Sequence, residues 1–404
     1  MGEKYIELLF HQCIDKKNSK ILFIHYNIEI DAFVKKVEKY AKKVGLEEVY
    51  LEGIDPNVTH DLLKNKTLEE IEESKYFDRS IWDDYASRKA CFLIFETEYP
   101  HLMEDIEDEK ITYASKLSRE SKPLYRKMVE RCELSWCIAA YPGQEWAKEI
   151  FKDAKDSYQK LENAIYKICM VDQRDPVSSW ELFLKKQQKI IEKLNSLSLK
   201  KLHYLNSLGT DLTVSLPDGY LFSSAKDREV IVNMPSYEVF ASPVFDKTEG
   251  IVYSSMPLNY NGKIVDNFWI RFQNGKAVDY DAKIGKEILK GIIESDKNSC
   301  FLGECALVEY DSPISNLGLV FGTTLIDENA SCHLALGAGF AECLEGGLKL
   351  EEDTLSEKGI NVSRNHVDFM IGTSDLKIVG ITKNGKEISI FKDGNFDEVF
   401  LSCL

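Results

Sequence analysis

The chain has 404 residues, with 67 acidic and 51 basic side chains, which gives a formal net charge of −16. This length predicts about two to three domains, each able to bury its own core. The acidic balance argues against a nucleic-acid binder, because neutralising phosphates requires a basic face. The apolar runs are far shorter than the roughly 20 residues of a membrane helix, and the N-terminus lacks the apolar core of a signal peptide. We therefore expect a cytoplasmic protein that binds neither nucleic acid nor membrane.

Cysteine usage agrees with that location. The ten cysteines contain no C-x-x-C pair, which argues against zinc-ribbon and thioredoxin-like sites. Cys91, Cys137 and Cys169 have apolar neighbours and are predicted to be small buried side chains in a reducing compartment.

The first half of the chain alternates predicted strands and helices. Ile21–Ile24 is a short apolar strand, and the following helix carries apolar residues at helical spacing from Phe33 to Val44 and is closed by Gly45. Further strands are predicted at Val49–Leu51, Cys91–Phe95 and Leu134–Ala140, and further helices over Gln144–Cys169 and from the capping box Ser178-x-x-Glu181. This βαβ rhythm predicts a mostly parallel sheet covered by helices.

A sheet of this kind invites a nucleotide hypothesis, which the turn after the first strand does not support. That turn, His25–Glu29, has no glycine, and Glu29 places a negative charge where a pyrophosphate would lie. Neither G-x-G-x-x-G nor a Walker A sequence occurs in the chain. We therefore expect this half to be a scaffold or dimer-forming domain.

The second half is built differently, because 19 of the 23 glycines follow residue 205. Turn dipeptides that suit type I′ hairpins are confined to the same half: Asp218-Gly219, Asn261-Gly262, Asn274-Gly275, Asn384-Gly385 and Asp393-Gly394. We predict an α/β fold with an N-terminal α/β domain at residues 1–206 and a hairpin-rich α+β domain at residues 207–404.

Two histidines of the second half lie close to carboxylates in sequence. Asn365–Ile371 alternates like a strand, so His366 and Asp368 are predicted to project from the same face. Glu328 and His333 are five residues apart, which misses a single helix face and favours a turn between them. On spacing alone, the alternative stays open that His366 is a hydrogen-bonded core histidine and that Asp327 or Glu328 caps a helix.

Two isolated glutamates add to this set. Glu304 and Glu238 each lie among apolar and aromatic residues, where an unpaired carboxylate is costly to bury. Oxygen and imidazole ligands without a thiolate cluster suit Zn²⁺, Mn²⁺ or Co²⁺ at a hydrolytic site. The alternative for either glutamate is an edge-strand residue that points to solvent.

The second half contains five characteristic blocks in a fixed order: Thr210–Asp218 (TDLTVSLPD), Asn233–Pro243 (NMPSYEVFASP), Gly303–Val308 (GECALV), Asp327–Gly337 (DENASCHLALG) and His366–Gly372 (HVDFMIG). Together these blocks resemble the thermophilic aminopeptidase (aminopeptidase T) family of metallopeptidases. The resemblance implies that six residues ligate metal: Glu238, Glu304, Glu328, His333, His366 and Asp368. It also implies a homodimer and a cytoplasmic aminopeptidase that acts on peptides with a free N-terminus.

By this resemblance, two divalent ions (Zn, Co, Mn or Mg) hold a bridging water, and Glu304 is the expected bridge between them. Glu304 or Glu238 is the expected catalytic carboxylate that passes a proton to the leaving amine. Three alternatives stay open: a catalytically weakened metal-binding relative, a hydrolase of other amides with one metal, and a binding module without metal.

The sequence departs from the family pattern at two positions. Tyr237 stands where the family usually has the first of two glutamates, and because Glu238, the second, is the implied ligand, this change is tolerable. Phe340 stands where the family usually has a tyrosine near the metals. A phenyl ring can neither ligate a metal nor donate a hydrogen bond to an oxyanion, and losing one such donor costs about two to three orders of magnitude in rate.

Overall fold

The computed structural model describes residues 1–152, 154–227, 230–260 and 262–402. Two sequence features, the Asn261 position of the Asn261-Gly262 turn and Cys403, lie outside these ranges. The helices are α1 (Gly2–Gln12), α2 (Asp31–Lys43), α3 (Pro56–Asn65), α4 (Leu68–Glu73), α5 (Ser80–Ser87), α6 (Asp108–Glu120), α7 (Pro123–Glu130), α8 (Gln144–Ile150), α9 (Ser157–Ile168), α10 (Pro176–Ser196), α11 (Lys286–Ile293), α12 (Thr324–Asp327), α13 (Glu352–Glu357) and α14 (Glu398–Leu401).

The strands are short except in one long hairpin. They are β1 (Ile21–Asn27), β2 (Glu48–Ile54), β3 (Cys91–Glu96), β4 (Trp136–Ala140), β5 (Leu199–Leu205), β6 (Asp211–Ser215), β7 (Ser223–Ser224), β8 (Lys226–Asp227), β9 (Val230–Ile231), β10 (Asn233–Met234), β11 (Val239–Ala241), β12 (Glu249–Tyr253), β13 (Leu258–Tyr260), β14 (Lys263–Gln273), β15 (Lys276–Ile284), β16 (Leu302–Leu307), β17 (His333–Gly337), β18 (His366–Met370), β19 (Lys377–Thr382), β20 (Glu387–Lys392) and β21 (Asn395–Phe396).

The chain divides into two compact units. The first comprises Met1–Trp180 and Lys226–Pro235, and the second comprises Glu181–Ala225 and Ser236–Leu404. The boundary between Trp180 and Glu181 lies within α10. The domain limit predicted at residue 206 was set by the change in glycine use, and this position directly follows β5. None of the helices in the described residues is long and apolar enough to span a membrane.

The first unit contains the predicted parallel sheet, in the order β10-β4-β3-β1-β2. Its strand β1, which lies between β3 and β2, carries Leu22, Phe23 and Ile24, all with no exposed surface, as a strand covered by helices on both faces requires. Phe23 contacts the ring of Trp82 on α5, with centroids 5.1 Å apart. The mostly parallel sheet is thus confirmed.

Two details of the first half differ from prediction. The helix predicted over Gln144–Cys169 is two helices, α8 and α9. The helix predicted to start at Ser178 begins at Pro176, and the Asp175 carboxylate accepts the Ser178 N–H at 3.1 Å. Proline suits the first helical position because its missing N–H is not needed there, so the Asp-Pro pair sets the start of α10.

Antiparallel sheets build the second unit. One has the order β18-β17-β16-β11-β7, and another runs β13-β14-β12-β6-β5-β19-β20-β21, with β15 paired to β14. The dipeptides Asn274-Gly275, Asn384-Gly385 and Asp393-Gly394 join paired strands, as predicted. Asp218-Gly219 does not, because β6 and the next strand β7 belong to different sheets; the hairpin prediction there was wrong, although Gly219 has the positive φ of a tight turn.

The two faces of β16–β18 have opposite character. Residues such as Cys305, Leu334 and Phe369 belong to the main hydrophobic core of the second unit. Alternate residues on the same strands, Glu304, His333 and Asp368, do not belong to it. Because successive side chains point to opposite faces of a strand, one face of this sheet packs the core and the other carries polar side chains.

Candidate metal centre

Three strands place one row of residues at the middle of this polar face. Glu304 on β16 is opposite Ala335 on β17, and Ala335 is opposite Asp368 on β18. His333 and His366 precede Ala335 and Asp368 by two residues, so they project from the same face. The predicted strand around His366 is confirmed, and so is the predicted turn between Glu328 and His333, as a short 3-10 segment over Glu328–Ala330 that ends at the extended Ser331.

An irregularity in β16 directs Glu304 toward this face. The register with β17 shifts between Leu302 and Glu304, and such bulges re-aim side chains next to active sites. Gly303 sits at the shift, where an added Cβ would lie 2.1 Å from the Ala338 carbonyl oxygen. The same oxygen accepts a hydrogen bond from Nδ1 of His366 at 2.8 Å. Glycine at 303 therefore lets this main-chain carbonyl hold a histidine of the site.

The carboxylates and imidazoles form two groups that share Glu304. Glu238, Glu304 and His333 make one group, and Glu304, His366 and Asp368 make the other, with ligand atoms within 4.8 Å of one another in each. His333 Nε2 lies 3.2 Å from Glu238 Oε2, and His366 Nε2 lies 3.2 Å from Glu304 Oε2. The shared position of Glu304 is the geometry that a carboxylate between two ions would need.

Glu328, the sixth predicted residue, belongs to neither of these groups within the described ranges. It is buried on the turn between α12 and β17. Burial, and then the charges of Asp368 and Glu238, raise its pKa well above its usual value, so its carboxyl group faces the same cluster. Asp327 is used locally: its carboxylate accepts the N–H groups of Phe321 at 2.8 Å and Gly322 at 2.7 Å, which belong to the loop before α12, so it does not act as the helix cap of the alternative reading.

The hydrogen bonds of the two histidines show that the cluster suits a cation. Nδ1 of His366 faces the Ala338 carbonyl, and Nδ1 of His333 lies 3.3 Å from the Ser331 carbonyl. These carbonyls accept the Nδ1 proton, so Nε2 is the nitrogen of each ring that is left to bind a cation. Each Nε2 also faces a carboxylate oxygen, so a cation placed there would meet both kinds of donor.

The buried carboxylates also indicate a need for positive charge. Burial raises the pKa of Glu304 to about 7, although hydrogen bonding to His366 opposes the shift. Burial lowers the pKa of His333, but Glu238 and the nearby Glu304 raise it more, to about 10. Among the residues that the structure describes, none forms a hydrogen bond with the buried Oδ1 of Asp368, and His366 Nε2 lies 3.3 Å from it. An oxygen and nitrogen donor set of this kind fits divalent zinc, manganese or cobalt.

Phe340 lies beside the cluster. Its ring centroid is 5.0 Å from that of His366 and 5.1 Å from that of Phe240. Its backbone N–H donates to the buried Ser242 Oγ at 2.8 Å. His366 is the most exposed of the clustered ligands, with 28% of its side chain accessible, so Phe340 borders the side of the site that solvent reaches.

In the first unit, the chain itself supplies an anion at the carboxyl edge of the parallel sheet. Glu29 follows β1, and its Oε1 accepts the backbone N–H of Gln144, at the start of α8, at 2.6 Å. Burial, and then a hydrogen bond to Glu29, raise the pKa of Tyr99. A helix N-terminus beside a parallel strand is where such sheets hold phosphate, and a carboxylate of this chain lies there instead.

We expect Glu29→Ala to lower the free energy of unfolding by about 1 kcal/mol, because it removes a side chain that caps α8. Urea denaturation measures the change. Glu145→Ala is the matched control, since Glu145 is in the same helical turn but pairs with Lys148. Equal losses from both substitutions would contradict the capping role.

Two buried amides that the sequence analysis did not single out contact the backbone at and next to Glu238. The side chain of Gln187 on α10 donates to the Glu238 carbonyl at 2.7 Å. Asn329 Oδ1 accepts the Tyr237 N–H at 2.6 Å. Asn329 adjoins Glu328, so the block around it offered a signal, whereas Gln187 is 51 residues from Glu238.

Comparison with known proteins gives a consistent result over the whole chain. Residues 2–396 match the thermophilic metalloprotease (M29) family of peptidases. Aminopeptidase 2 of Geobacillus stearothermophilus is 34% identical over 98% of this chain and 97% of its own length. Aminopeptidase AmpS of Bacillus subtilis is 33% identical over 97% of both chains. The structure of wild-type AmpT from Thermus thermophilus superposes with a TM-score of 0.88 at 27% identity, over 98% of each chain. A sequence match along almost the full length, on a shared fold, shows that this chain belongs to the M29 family of metallopeptidases.

Proposed function

We propose that the protein is a metal-dependent aminopeptidase that hydrolyses the N-terminal peptide bond of peptides. The observation that carries the proposal is the pair of ligand groups sharing Glu304, because one carboxylate between two donor sets suits two divalent ions. The relatives named aminopeptidases, at 33–34% identity over nearly the whole chain, support the same substrate class.

The residues of the cluster would have different roles in peptide hydrolysis. Bound divalent ions would lower the pKa of a shared water from about 15.7 toward 7 and polarise the scissile carbonyl. His333 and His366 would hold the ions through Nε2, because main-chain carbonyls accept their Nδ1 protons. Glu238 and Asp368 supply charge on either side of Glu304. Glu304 or Glu238 would take the proton that the water releases and pass it to the leaving amine.

Further parts of the proposal concern the whole molecule. We propose that residues 207–404 form the metal-binding catalytic domain, that residues 1–206 serve as scaffold or dimerisation domain, and that the protein is a cytoplasmic homodimer. The cysteines of the described ranges support a reducing compartment, because they are all free thiols and Cys132 alone among them is not buried.

Metal removal and replacement tests the function. Chelator-stripped protein, reloaded separately with Zn²⁺, Mn²⁺ or Co²⁺, is given aminoacyl-amides with free or acetylated N-termini while bound metal is counted. We expect restored cleavage of the free-amine substrates only, at about two ions per chain, because the site combines two donor groups.

Other outcomes separate the alternatives. Two bound ions without cleavage would indicate a metal-binding relative that is not catalytic. About one ion with cleavage of acetylated substrates would indicate a different amide hydrolase. A chain that binds no divalent ion would refute the proposed function.

A further inference from the structure

Glu238 lies outside the regular hydrogen-bond ladder of its sheet. Ser236, Tyr237 and Glu238 precede β11, which begins at Val239. A ligand on an irregular segment lacks strand neighbours on both sides, so the position of its carboxylate depends on other contacts to its backbone.

Two buried, neutral amide side chains supply these contacts. Gln187 Nε2 donates to the Glu238 carbonyl at 2.7 Å, and Asn329 Oδ1 accepts the N–H of the preceding residue, Tyr237, at 2.6 Å. Gln187 is 5% exposed and Asn329 is fully buried. Both sides of the ligand's backbone are therefore held by side chains that carry no charge.

The two amides belong to different parts of the second unit. On α10, Phe183 lies one helical turn before Gln187, and its ring centroid is 5.2 Å from that of Tyr237. One face of α10 thus contacts two consecutive residues, Tyr237 and Glu238. Asn329 also donates to the Leu325 carbonyl at 3.3 Å, which ties the segment to the turn that carries Glu328.

We propose that Gln187 is a positioning residue, which holds Glu238 in place within the metal group formed with Glu304 and His333. This inference rests on the metal centre of the proposed function. Removing a residue that is hydrogen-bonded to a metal ligand typically lowers metal affinity by about 10- to 100-fold. Because Gln187 touches Glu238 and none of the other clustered residues by a hydrogen bond in the described structure, its loss should affect one of the two groups.

The test compares Gln187→Met with Gln188→Met. Methionine keeps the length of the side chain and removes the donor. Gln188 is on the same helix but exposed, and its amide donates to Glu192 at 3.1 Å. Metal-free protein is titrated with Co²⁺, followed by visible absorption and calorimetry. We expect one of two binding steps to weaken by about 10- to 100-fold in Gln187→Met, with the other step within about twofold, and both steps unchanged in Gln188→Met.

The outcomes distinguish positioning from a purely structural role. A lower melting temperature of the metal-free protein with both binding steps unchanged would overturn the proposal, as would equal weakening of both steps. If Gln187→Met does not fold, Gln187→Asn, with the amide drawn back by one methylene, is compared with Gln188→Asn by the same criteria.

The Co²⁺ titration also tests this inference independently of the proposed aminopeptidase activity. An unmodified chain that binds two ions but cleaves no free-amine substrate would end the aminopeptidase proposal and leave the role of Gln187 measurable. An unmodified chain with fewer than two binding steps would overturn the inference itself.

Discussion

Glu304→Gln is expected to lower turnover by about three orders of magnitude or more, because the shared member of both ligand groups loses its charge. The fold should persist, since glutamine has nearly the same volume, and burying an amide costs less than burying a charge. Steady-state kinetics on metal-loaded protein gives the turnover number, and thermal unfolding of the metal-free protein reports the fold.

Glu309→Gln is the matched control for this substitution. Glu309 lies five residues further along the chain, pairs with Lys186 at 3.6 Å and keeps about a third of its side chain exposed. We expect it to leave turnover and bound metal unchanged. Retained activity in metal-loaded Glu304→Gln would remove Glu304 from the mechanism.

Phe340→Tyr is expected to raise kcat by about 100-fold, with a smaller effect on KM. The family resemblance implies a tyrosine near the metals at this position, and the Phe340 ring is 5.0 Å from the His366 ring. A hydroxyl added to the ring can donate to the oxygen that gains charge in the transition state, an interaction that the phenyl ring lacks.

Phe340→Leu separates the hydroxyl from the ring. If the ring serves only as apolar surface, the leucine variant keeps a kcat close to that of the unmodified chain, whereas the tyrosine variant exceeds both. A kcat in Phe340→Tyr at or below the unmodified level would show that this chain does not use a hydroxyl here.

Local sequence patterns predicted the parallel sheet and its strands well. The apolar run at Ile21–Ile24 and the helix closed by Gly45 both depend on residues close in sequence, and both occur in the structure. The strand at His366 was predictable for the same reason, because alternation is a local property. The roles of the predicted ligands stay a prediction, although five of the six lie together in the two groups.

Contacts between distant segments could not be read from those patterns. β10, at Asn233–Met234, adds to the parallel sheet of the first unit through β4, almost a hundred residues earlier. Gln187 reaches Glu238 from another element, and a glutamine on a helix looks the same in sequence whether it contacts solvent or a carbonyl. Pairings of this kind are set by tertiary packing, which periodicity does not encode.

The two-sided character of β16–β18 has a consequence for folding accuracy. Shifting β17 by one residue against its neighbours would turn His333 toward the core and Leu334 toward the polar face. Because every residue of β17 is buried, such a misaligned sheet would place an unpaired imidazole in the apolar core and leucines among the carboxylates, and both changes are unfavourable. The residues proposed for chemistry therefore also help to fix the strand register, because they make the shifted alignment less stable while the protein folds.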